Sequence, residues 1–523
     1  MPATLIHDFL EASAALYPDH CAVVCDSGRY TYRQINEAAN ALAASLVDLG
    51  LQRSDPVILL FRNSFEYIAC YYAILKAGGC VVPINPGFTP PDVAAFIECV
   101  QPHTILVESP LLARLRECTS IRSFLVTQKD GDIPPGIRAL CKKPALSLQE
   151  MLSKPCLENP NLPIAADSCA SIIFTSGSTG KPKGAMLSHK NIAANTRSIC
   201  QYLSITHSDI QMVILPFSYV MGKSLLNTHI AAGARVVLNN QFAFTAAVLR
   251  QMEQEQVTAF SGVPSTYAHL VNKSPLAEYK ERLPFLRYCS QAGGHMARPV
   301  KTALRELLPS HTAIVVMYGA TEASARLTYL DPESFHQKID SIGKAIPGVT
   351  VTVRDEQGNE QPAGKEGELV ARGENIMMGY YKDPEATHKV LDRWGYHTGD
   401  YGYRDDEGFL FVSGRKDELI KVSGYRVNIS EIETCILESG LAVECAVMPE
   451  ADAQGENKLL ALVTPVNVSV TAEALHLYCQ NKLPPFKRPR DIVIAKAMPK
   501  NVNGKIDRDQ CRVHIRNHTR TGQ

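Results

Sequence analysis

A segment rich in glycine, hydroxyl and lysine residues carries the strongest chemical signal in the sequence. Three glycines permit positive φ angles and let the backbone approach an anion closely. Hydroxyl groups, backbone N–H groups and two lysine side chains supply donors and positive charge for a phosphate. The pattern therefore predicts a phosphate-binding loop, with a flexible surface loop as the alternative. The segment consists of Thr175, Ser176, Gly177, Ser178, Thr179, Gly180, Lys181, Pro182, Lys183 and Gly184.

This segment departs from the P-loop of nucleoside triphosphatases. The P-loop pattern is G-x-x-x-x-G-K-[ST], in which the final hydroxyl group binds Mg²⁺. Here Pro182 follows the first glycine–lysine pair, and Ala185 stands where a hydroxyl residue would be needed after the later pair. The sequence therefore disfavours an ATPase that releases phosphate.

The elements that must position this loop alternate between strand and helix patterns. Residues 57–61 form an apolar run, residues 64–77 have helical spacing, and residues 80–83 resume a strand. Such a βαβ unit implies a parallel sheet covered by helices. We expect the helix after the loop to begin with Ser188 as its N-cap. Further apolar runs predict strands at 171–174, 212–217, 234–238, 257–260, 286–290 and 313–317.

The pattern changes after about residue 400. It predicts a hairpin at 402–413, helices at 429–437 and 471–483, and strands at 445–448, 459–463 and 491–494. We therefore predict an α/β protein in which a large N-terminal region with helix-flanked sheets spans residues 1–415. A small α+β domain is expected to span residues 416–523.

Composition and charge narrow the class of protein. Of the 523 residues, 45% are hydrophobic and 20% are charged, which is ordinary globular usage. Lys+Arg and Asp+Glu each number 53, so no global field favours nucleic acid or an anionic membrane. We find no signal-peptide pattern, no membrane-length apolar run, and no zinc-like spacing among the 15 cysteines. We therefore expect a cytoplasmic protein without an integral membrane segment.

Five motifs in order resemble those of the adenylate-forming superfamily, which includes acyl-CoA synthetases, amino-acid adenylation domains and beetle luciferases. The resemblance implies that superfamily's fold and a reaction in two halves. In the first half, a carboxylic acid attacks the α-phosphate of ATP and gives acyl-AMP and pyrophosphate. In the second half, a thiol displaces AMP and forms a thioester. The motifs lie at 171–184, 318–322, 396–400, 414–424 and 499–505.

The resemblance also assigns roles to single residues. Segment 175–183 would hold the pyrophosphate, Thr321 would donate to the α-phosphate, and Glu322 would hold Mg²⁺. Asp400 would accept both ribose hydroxyls, and Lys505 would reach the α-phosphate and the substrate carboxylate. Taken alone, these residues fit surface or turn positions as well. The further positions assigned to the nucleotide are Ala292, Gly293, Gly294, Tyr318, Gly319, Ala320 and Arg415.

Relatives in this superfamily turn the small domain between two orientations, one for each half-reaction. The resemblance places the hinge at Asp417. It places Lys421 and Gly424 on the segment presented during thioester formation. A surface turn is the alternative interpretation of all three.

The acyl pocket is expected to contain Tyr219, Val220, Met221, Val263 and Pro264, although ordinary core packing explains these residues equally well. Tyr219 stands where relatives often carry histidine, and it remains able to gate carboxylate entry. Residues 212–230 contain no Asp that would pair with an α-ammonium group. Because an unpaired buried ammonium is costly, this favours a fatty or other acyl acid. Lys223 fits either a polar group of the substrate or an exposed helix position, and we favour the exposed position.

The expected acceptor thiol belongs to coenzyme A or to a phosphopantetheinyl carrier protein. With 18 residues after Lys505, we expect the carrier to be a separate molecule. Three other functions stay open. They are amino-acid adenylation for a separate carrier, a luciferase-like oxidoreductase, and a non-catalytic nucleotide-binding protein.

Overall fold

The computed structural model describes residues 4–153, 156–175, 182–416, 419–422, 425–451, 457–501 and 506–521. The first strands are β1 (Cys21–Cys25), β2 (Gly28–Thr31), β3 (Pro56–Leu60), β4 (Cys80–Pro83), β5 (Thr104–Val107), β6 (Phe124–Thr127), β7 (Leu146–Ser147), β8 (Cys169–Thr175), β9 (Lys183–Ser188), β10 (Ile210–Val213), β11 (Arg235–Leu238), β12 (Ala259–Gly262), β13 (Tyr288–Gln291) and β14 (Ala313–Tyr318). The later strands are β15 (Thr328–Leu330), β16 (Lys344–Ala345), β17 (Val349–Arg354), β18 (Gly367–Gly373), β19 (Gly379–Tyr380), β20 (Leu391–Asp392), β21 (Gly395–Arg404), β22 (Leu410–Arg415), β23 (Leu419–Val422), β24 (Tyr425–Asn428), β25 (Ala442–Ala451), β26 (Asn457–Pro465) and β27 (Asp491–Ile494).

The α-helices are α1 (Ile6–Leu16), α2 (Tyr32–Asp48), α3 (Phe65–Lys76), α4 (Pro90–Val100), α5 (Pro135–Leu140), α6 (Leu148–Leu152), α7 (His189–Tyr202), α8 (Val220–Ala231), α9 (Thr245–Gln254), α10 (Pro264–Lys273), α11 (Arg298–Leu307), α12 (Pro384–Val390), α13 (Ile429–Glu438), α14 (Ala472–Lys482) and α15 (Arg508–Thr521). None of these described helices combines the length and the apolar character needed to cross a membrane.

Two large sheets dominate the N-terminal region. One has the strand order β16-β15-β14-β13-β12-β10-β11-β1-β2, and the other has the order β19-β9-β8-β4-β3-β5-β6-β7. Their inner strands are parallel and buried on both faces, which explains their continuous apolar sequences. The predicted βαβ unit is present as β3, α3 and β4, with β3 and β4 parallel.

A third sheet joins β17, β18, β20, β21 and β22. Its β21–β22 hairpin matches the one predicted at 402–413. The C-terminal residues form the small sheet β25-β26-β27 with α13, α14 and α15, and β25 and α13 contact α10 and α11 of the large region. The α/β class with a small C-terminal α+β domain is therefore confirmed, while the boundary between residues 415 and 416 stays a prediction.

The segment after the glycine-rich loop differs from the expectation. Strand β9 pairs antiparallel with β8 before the helix begins, so the loop connects two strands of a hairpin. The predicted N-cap is confirmed, because the Ser188 side chain accepts a hydrogen bond from the Asn191 N–H. The strand predicted at 212–217 is shorter than expected and ends at Val213.

A buried lysine holds the N-terminal helices together. Lys76 at the end of α3 donates to Glu11 Oε1 at 2.7 Å, and to the Oδ1 atoms of Asn36 and Asn159 at 2.9 Å each. Its side chain is completely buried, and burial lowers its pKa while Glu11 opposes that shift. All three ammonium donors are thus satisfied by α1, α2 and the segment before β8.

We expect Lys76→Met to lower the free energy of unfolding by about 3 kcal/mol, because it leaves the partly buried Glu11 carboxylate and the Asn36 amide oxygen without their donor. Urea denaturation provides the measurement. The exposed Lys389–Glu385 pair on α12 gives the control, and Lys389→Met is expected to leave the free energy of unfolding nearly unchanged. Equal losses in the two variants would contradict a structural role for the buried cation.

Candidate active site

A sharp turn follows β14 at the carboxyl end of the parallel strands. The N–H groups of Ala323 and Ala325 both donate to the Ala320 carbonyl, at 3.1 and 3.3 Å. A Cβ at Gly319 would lie 2.1 Å from the Ala325 carbonyl oxygen, so only glycine fits there. The turn places Thr321 and Glu322 at the sheet edge where α/β proteins bind ligands.

Asn375 holds this turn through hydrogen bonds. Its Nδ2 donates to the backbone carbonyls of Ala323 and Arg326 at 3.0 and 2.9 Å, and the Asn375 backbone carbonyl accepts from Ser324 Oγ at 2.8 Å. Asn375 is 2% exposed. The backbone of Ser324 and Ala325 has positive φ, at 56° and 123°, so these bonds hold a conformation that L-residues rarely adopt.

Glu322 is oriented by a tyrosine. The Tyr380 hydroxyl donates to Glu322 Oε1 at 2.7 Å, and Tyr380 also pairs with Ala185 where β19 joins β9. Burial and the negative charge of Glu322 raise the pKa of Tyr380, so the phenol stays a donor. Lys183 Nζ lies 5.4 Å from the centre of the Tyr380 ring. Tyr380 thus links the end of the glycine-rich segment to the acidic residue.

A second tyrosine–carboxylate pair lies where the third sheet meets β14. The Tyr318 hydroxyl donates to Asp400 Oδ2 at 2.5 Å, and Arg415 Nε lies 3.6 Å from Asp400 Oδ1. Asp400 on β21 and Arg415 on β22 are direct partners in the ladder. Burial and the Asp400 charge raise the pKa of Tyr318. Three sequence-predicted residues therefore meet in one cluster.

The predicted adenine-side wall lies next to the predicted acyl pocket. Ala292 is buried, Gly293 has a positive φ of 88°, and Gln291 Nε2 donates to the Gly294 carbonyl at 2.7 Å. A Cβ on Gly294 would lie 3.4 Å from Pro264 Cγ. The end of β13 and the start of α10 therefore form one continuous surface.

The predicted pocket residues divide between two packing clusters. Met221 and Val263 pack with Ala292 in one cluster, and Val220 packs in another. Tyr219 contacts both clusters, because it precedes α8 where they meet. The structure therefore brings Met221 and Val263 together but does not place Val220 with them.

The expectation that Lys223 is exposed is wrong. Lys223 is 4% exposed, its Nζ donates to the Tyr67 hydroxyl at 2.5 Å, and it lies 3.9 Å from the centre of the Tyr71 ring. Burial lowers the pKa of Lys223 well below its usual value. Helix α8 is buried on nearly every side, so it has no polar face on which a lysine could reach solvent.

Several predicted residues lie outside the described part of the chain. The described residues that flank two of these segments are paired. Thr175 pairs with Lys183 where β8 and β9 meet, and Lys500 forms an isolated β-bridge with Ile506. Lys421 lies on β23, where its backbone alone is described. The residues outside are Ser176, Gly177, Ser178, Thr179, Gly180, Lys181, Asp417, Gly424 and Lys505.

Sequence reasoning missed Tyr380, Asn375 and Glu368. Glu368 holds the turn before Asp400, because it accepts from the Gly399 N–H at 3.2 Å and pairs with His397 at 3.1 Å. Glycines near Asn375 and Tyr380 mark turns in the sequence, but glycines do not indicate which distant side chain a turn contacts.

Comparison with known proteins defines the class. The family model for AMP-binding enzymes matches residues 10–381, and the model for the AMP-binding enzyme C-terminal domain matches residues 431–505. The chain therefore belongs to the AMP-binding enzymes, which confirms the resemblance.

Similar proteins include ligases and a synthase. The long-chain-fatty-acid–CoA ligase of Bacillus subtilis strain 168 is 29% identical and covers 97% of this chain and 94% of its own length. A dimodular nonribosomal peptide synthase of that strain is 27% identical over 96% of this chain, which corresponds to 20% of the synthase. The crystal structure of ATP-bound MatB from Rhodopseudomonas palustris has a TM-score of 0.84 and 25% identity, and covers 97% of this chain and 98% of its own.

We expect Tyr318→Phe to weaken AMP binding about tenfold, because a hydrogen bond to a charged group contributes about 1.5–3 kcal/mol. Titration calorimetry with AMP gives the affinity. Tyr403→Phe is the matched control on β21, since the Tyr403 ring stacks on Phe411 and no described residue bonds its hydroxyl. Unchanged AMP affinity in Tyr318→Phe would show that Asp400 needs no orienting donor.

Proposed function

We propose that this enzyme activates a carboxylic acid without an α-amino group, such as a fatty or other acyl acid, by joining it to AMP. Pyrophosphate leaves, and the acyl group then passes to coenzyme A. The observation that carries the proposal is the meeting of separate motifs in the Tyr318–Asp400 and Tyr380–Glu322 pairs. The match to a CoA ligase over nearly its whole length supports coenzyme A as the acceptor.

The first half-reaction joins two anions, which repel each other. A carboxylate must approach the α-phosphate of ATP, so charge must be offset where it develops. Thr321 is proposed to donate to the α-phosphate and Lys183 to neutralise the leaving pyrophosphate. Lys505 is proposed to reach both reactants, a role that suits a compact charge on a long flexible stem.

Glu322 has the chemistry to hold Mg²⁺. Tyr380 fixes Oε1, and no described residue hydrogen-bonds Oε2, so an anionic oxygen of the kind Mg²⁺ prefers is held in place. Bound Mg²⁺ would offset phosphate charge. The ATP-bound relative supports ATP as the nucleotide.

Asp400 is proposed to bind the ribose hydroxyls. A carboxylate offers about four acceptor positions on its two oxygens, so Tyr318 leaves room for further donors. Arg415 lies beside Asp400 and is about half exposed, so it lines the same site. Asp417, Lys421 and Gly424 retain their predicted roles in domain rotation and thioester formation as part of this proposal.

Amino-acid adenylation is the second candidate, supported by the match to the peptide synthase. Pyrophosphate exchange into ATP across a panel of carboxylic and amino acids separates the two. We expect exchange with acids that lack an α-amino group, and a CoA thioester detected by mass. Exchange with amino acids alone, without a CoA thioester, would contradict the proposal and favour the second candidate.

We expect Lys505→Ala to slow acyl-AMP formation about 10²–10³-fold, the scale for losing one preorganised electrostatic group. Thioester formation from supplied acyl-AMP and coenzyme A should be preserved. Lys496→Ala, which removes an exposed lysine of the same domain, is the control for both half-reactions. Equal slowing of both halves in Lys505→Ala would contradict the assigned role.

A further inference from the structure

A buried guanidinium lies at the edge of the predicted acyl pocket. Arg326 is 2% exposed. Its Nη1 donates to the Ala325 carbonyl at 3.2 Å, and its Nε donates to Met317 Sδ at 3.3 Å, a weak acceptor. No carboxylate of the described residues forms an ion pair with this guanidinium. The protein therefore buries a positive charge for which its described part supplies no anion.

This charge cannot be removed by losing a proton. Arginine keeps its charge in proteins, and an unpaired buried charge is strongly unfavourable. Lys223 is different, because an amine in an apolar site can become neutral, and burial lowers its pKa accordingly. Of these two buried cations, Arg326 is the one that requires an anion.

The backbone of Arg326 is held in position by side-chain hydrogen bonds and close packing. The Arg326 carbonyl accepts from Asn195 Nδ2 and Asn375 Nδ2, at 2.9 Å each. The Arg326 Cα also contacts Gly319 closely, because a Cβ added to Gly319 would lie 2.7 Å from it. The same contacts that fix the candidate catalytic turn therefore also fix Arg326.

The surroundings of Arg326 connect it with the acyl pocket. Met317, which Arg326 contacts, packs in the cluster that contains Met221 and Val263. The Tyr202 hydroxyl accepts a hydrogen bond from the guanidinium and Tyr219 acts on it electrostatically, so both residues supply a phenol instead of a carboxylate. An anion that reached Arg326 would thus lie beside Tyr219, at the predicted entrance for the acid.

We propose that Arg326 binds a second carboxylate of the substrate, so that the enzyme activates dicarboxylic acids in preference to monocarboxylic acids of equal length. This inference rests on the proposed function. One carboxylate would attack the α-phosphate, and the other would pair with the guanidinium, whose fork matches carboxylate geometry. Met221 and Val263 would pack against the carbon chain between them.

The test compares straight-chain mono- and dicarboxylic acids with the same number of carbon atoms. Acid-dependent pyrophosphate release gives kcat/KM for each acid in the wild type, Arg326→Met and Arg326→Lys. We expect the wild type to prefer the dicarboxylic acid about 10²-fold, and Arg326→Met to lose about 10²–10³-fold on that acid, as when one partner of a buried charge pair is removed. On the monocarboxylic acid the loss should stay within a few-fold. Arg326→Lys should be intermediate, because a point charge lacks the bidentate fork.

Arg305→Met is the matched control. The Arg305 guanidinium donates to the carbonyls of Thr312 and Pro309 near the end of α11, a structural role. Removing it should leave the ratio between the two acids unchanged. If Arg326→Met fails to fold, the ratio of the wild-type kcat/KM values for the dicarboxylic and monocarboxylic acids still tests the inference without any variant.

Three results would overturn the inference. One is a wild-type preference for monocarboxylic acids, which would leave the proposed function intact. Another is an equal loss on both acids in Arg326→Met together with a raised KM for ATP, which would assign the guanidinium to the nucleotide. The third is the absence of acid-dependent pyrophosphate release with every mono- and dicarboxylic acid tested, which would reject the proposed function as well.

Discussion

The hydrogen bond from Tyr318 to Asp400 is the contact on which the arrangement of the site depends. It joins the end of β14 in the nine-stranded sheet to β21 in the third sheet, 82 residues further along the chain. Two sheets with separate packing clusters thereby present their side chains to the same space. Asp400 is also the partner of Arg415 in the β21–β22 ladder, so the bond fixes the end of β22 as well.

A second hydrogen bond from a tyrosine to a carboxylate joins Tyr380 to Glu322. In both cases a neutral phenol with a raised pKa donates to the carboxylate. Asp400 also lies beside the Arg415 guanidinium, whereas no described residue forms an ion pair with Glu322. A lysine or arginine in that place would cancel the negative charge of the acid. A phenol fixes the geometry and preserves the charge, so the carboxylate remains available for a metal ion or for sugar hydroxyls. Glu322 thus combines a fixed position with a negative charge that no described cation offsets.

Local sequence patterns predicted the parts of the fold that depend on local physics. The β3-α3-β4 unit, the Ser188 cap and the strands of the small domain follow from apolar periodicity and capping chemistry. Strand β9 was missed because the glycine-rich residues before it gave no strand signal. Lys223 was misplaced because a helical lysine was expected at an exposed position, and α8 is buried on nearly every side. Tyr380, Asn375 and Arg326 act on residues that other strands bring to them, so tertiary packing alone determines their partners.

The antiparallel pairing of β8 and β9 has a consequence for how an anion would be held. Helix α7 begins at His189, beyond β9, and its capping box already uses the N–H of Asn191. The positive end of the α7 dipole therefore lies beyond β9, in contrast to folds in which a glycine-rich turn opens directly into a helix. A polyphosphate bound beside β8 and β9 would be attracted by lysine ammonium groups such as Lys183, by peptide N–H groups and by counterions. Binding there should consequently be more sensitive to ionic strength than binding in a dipole-capped cradle.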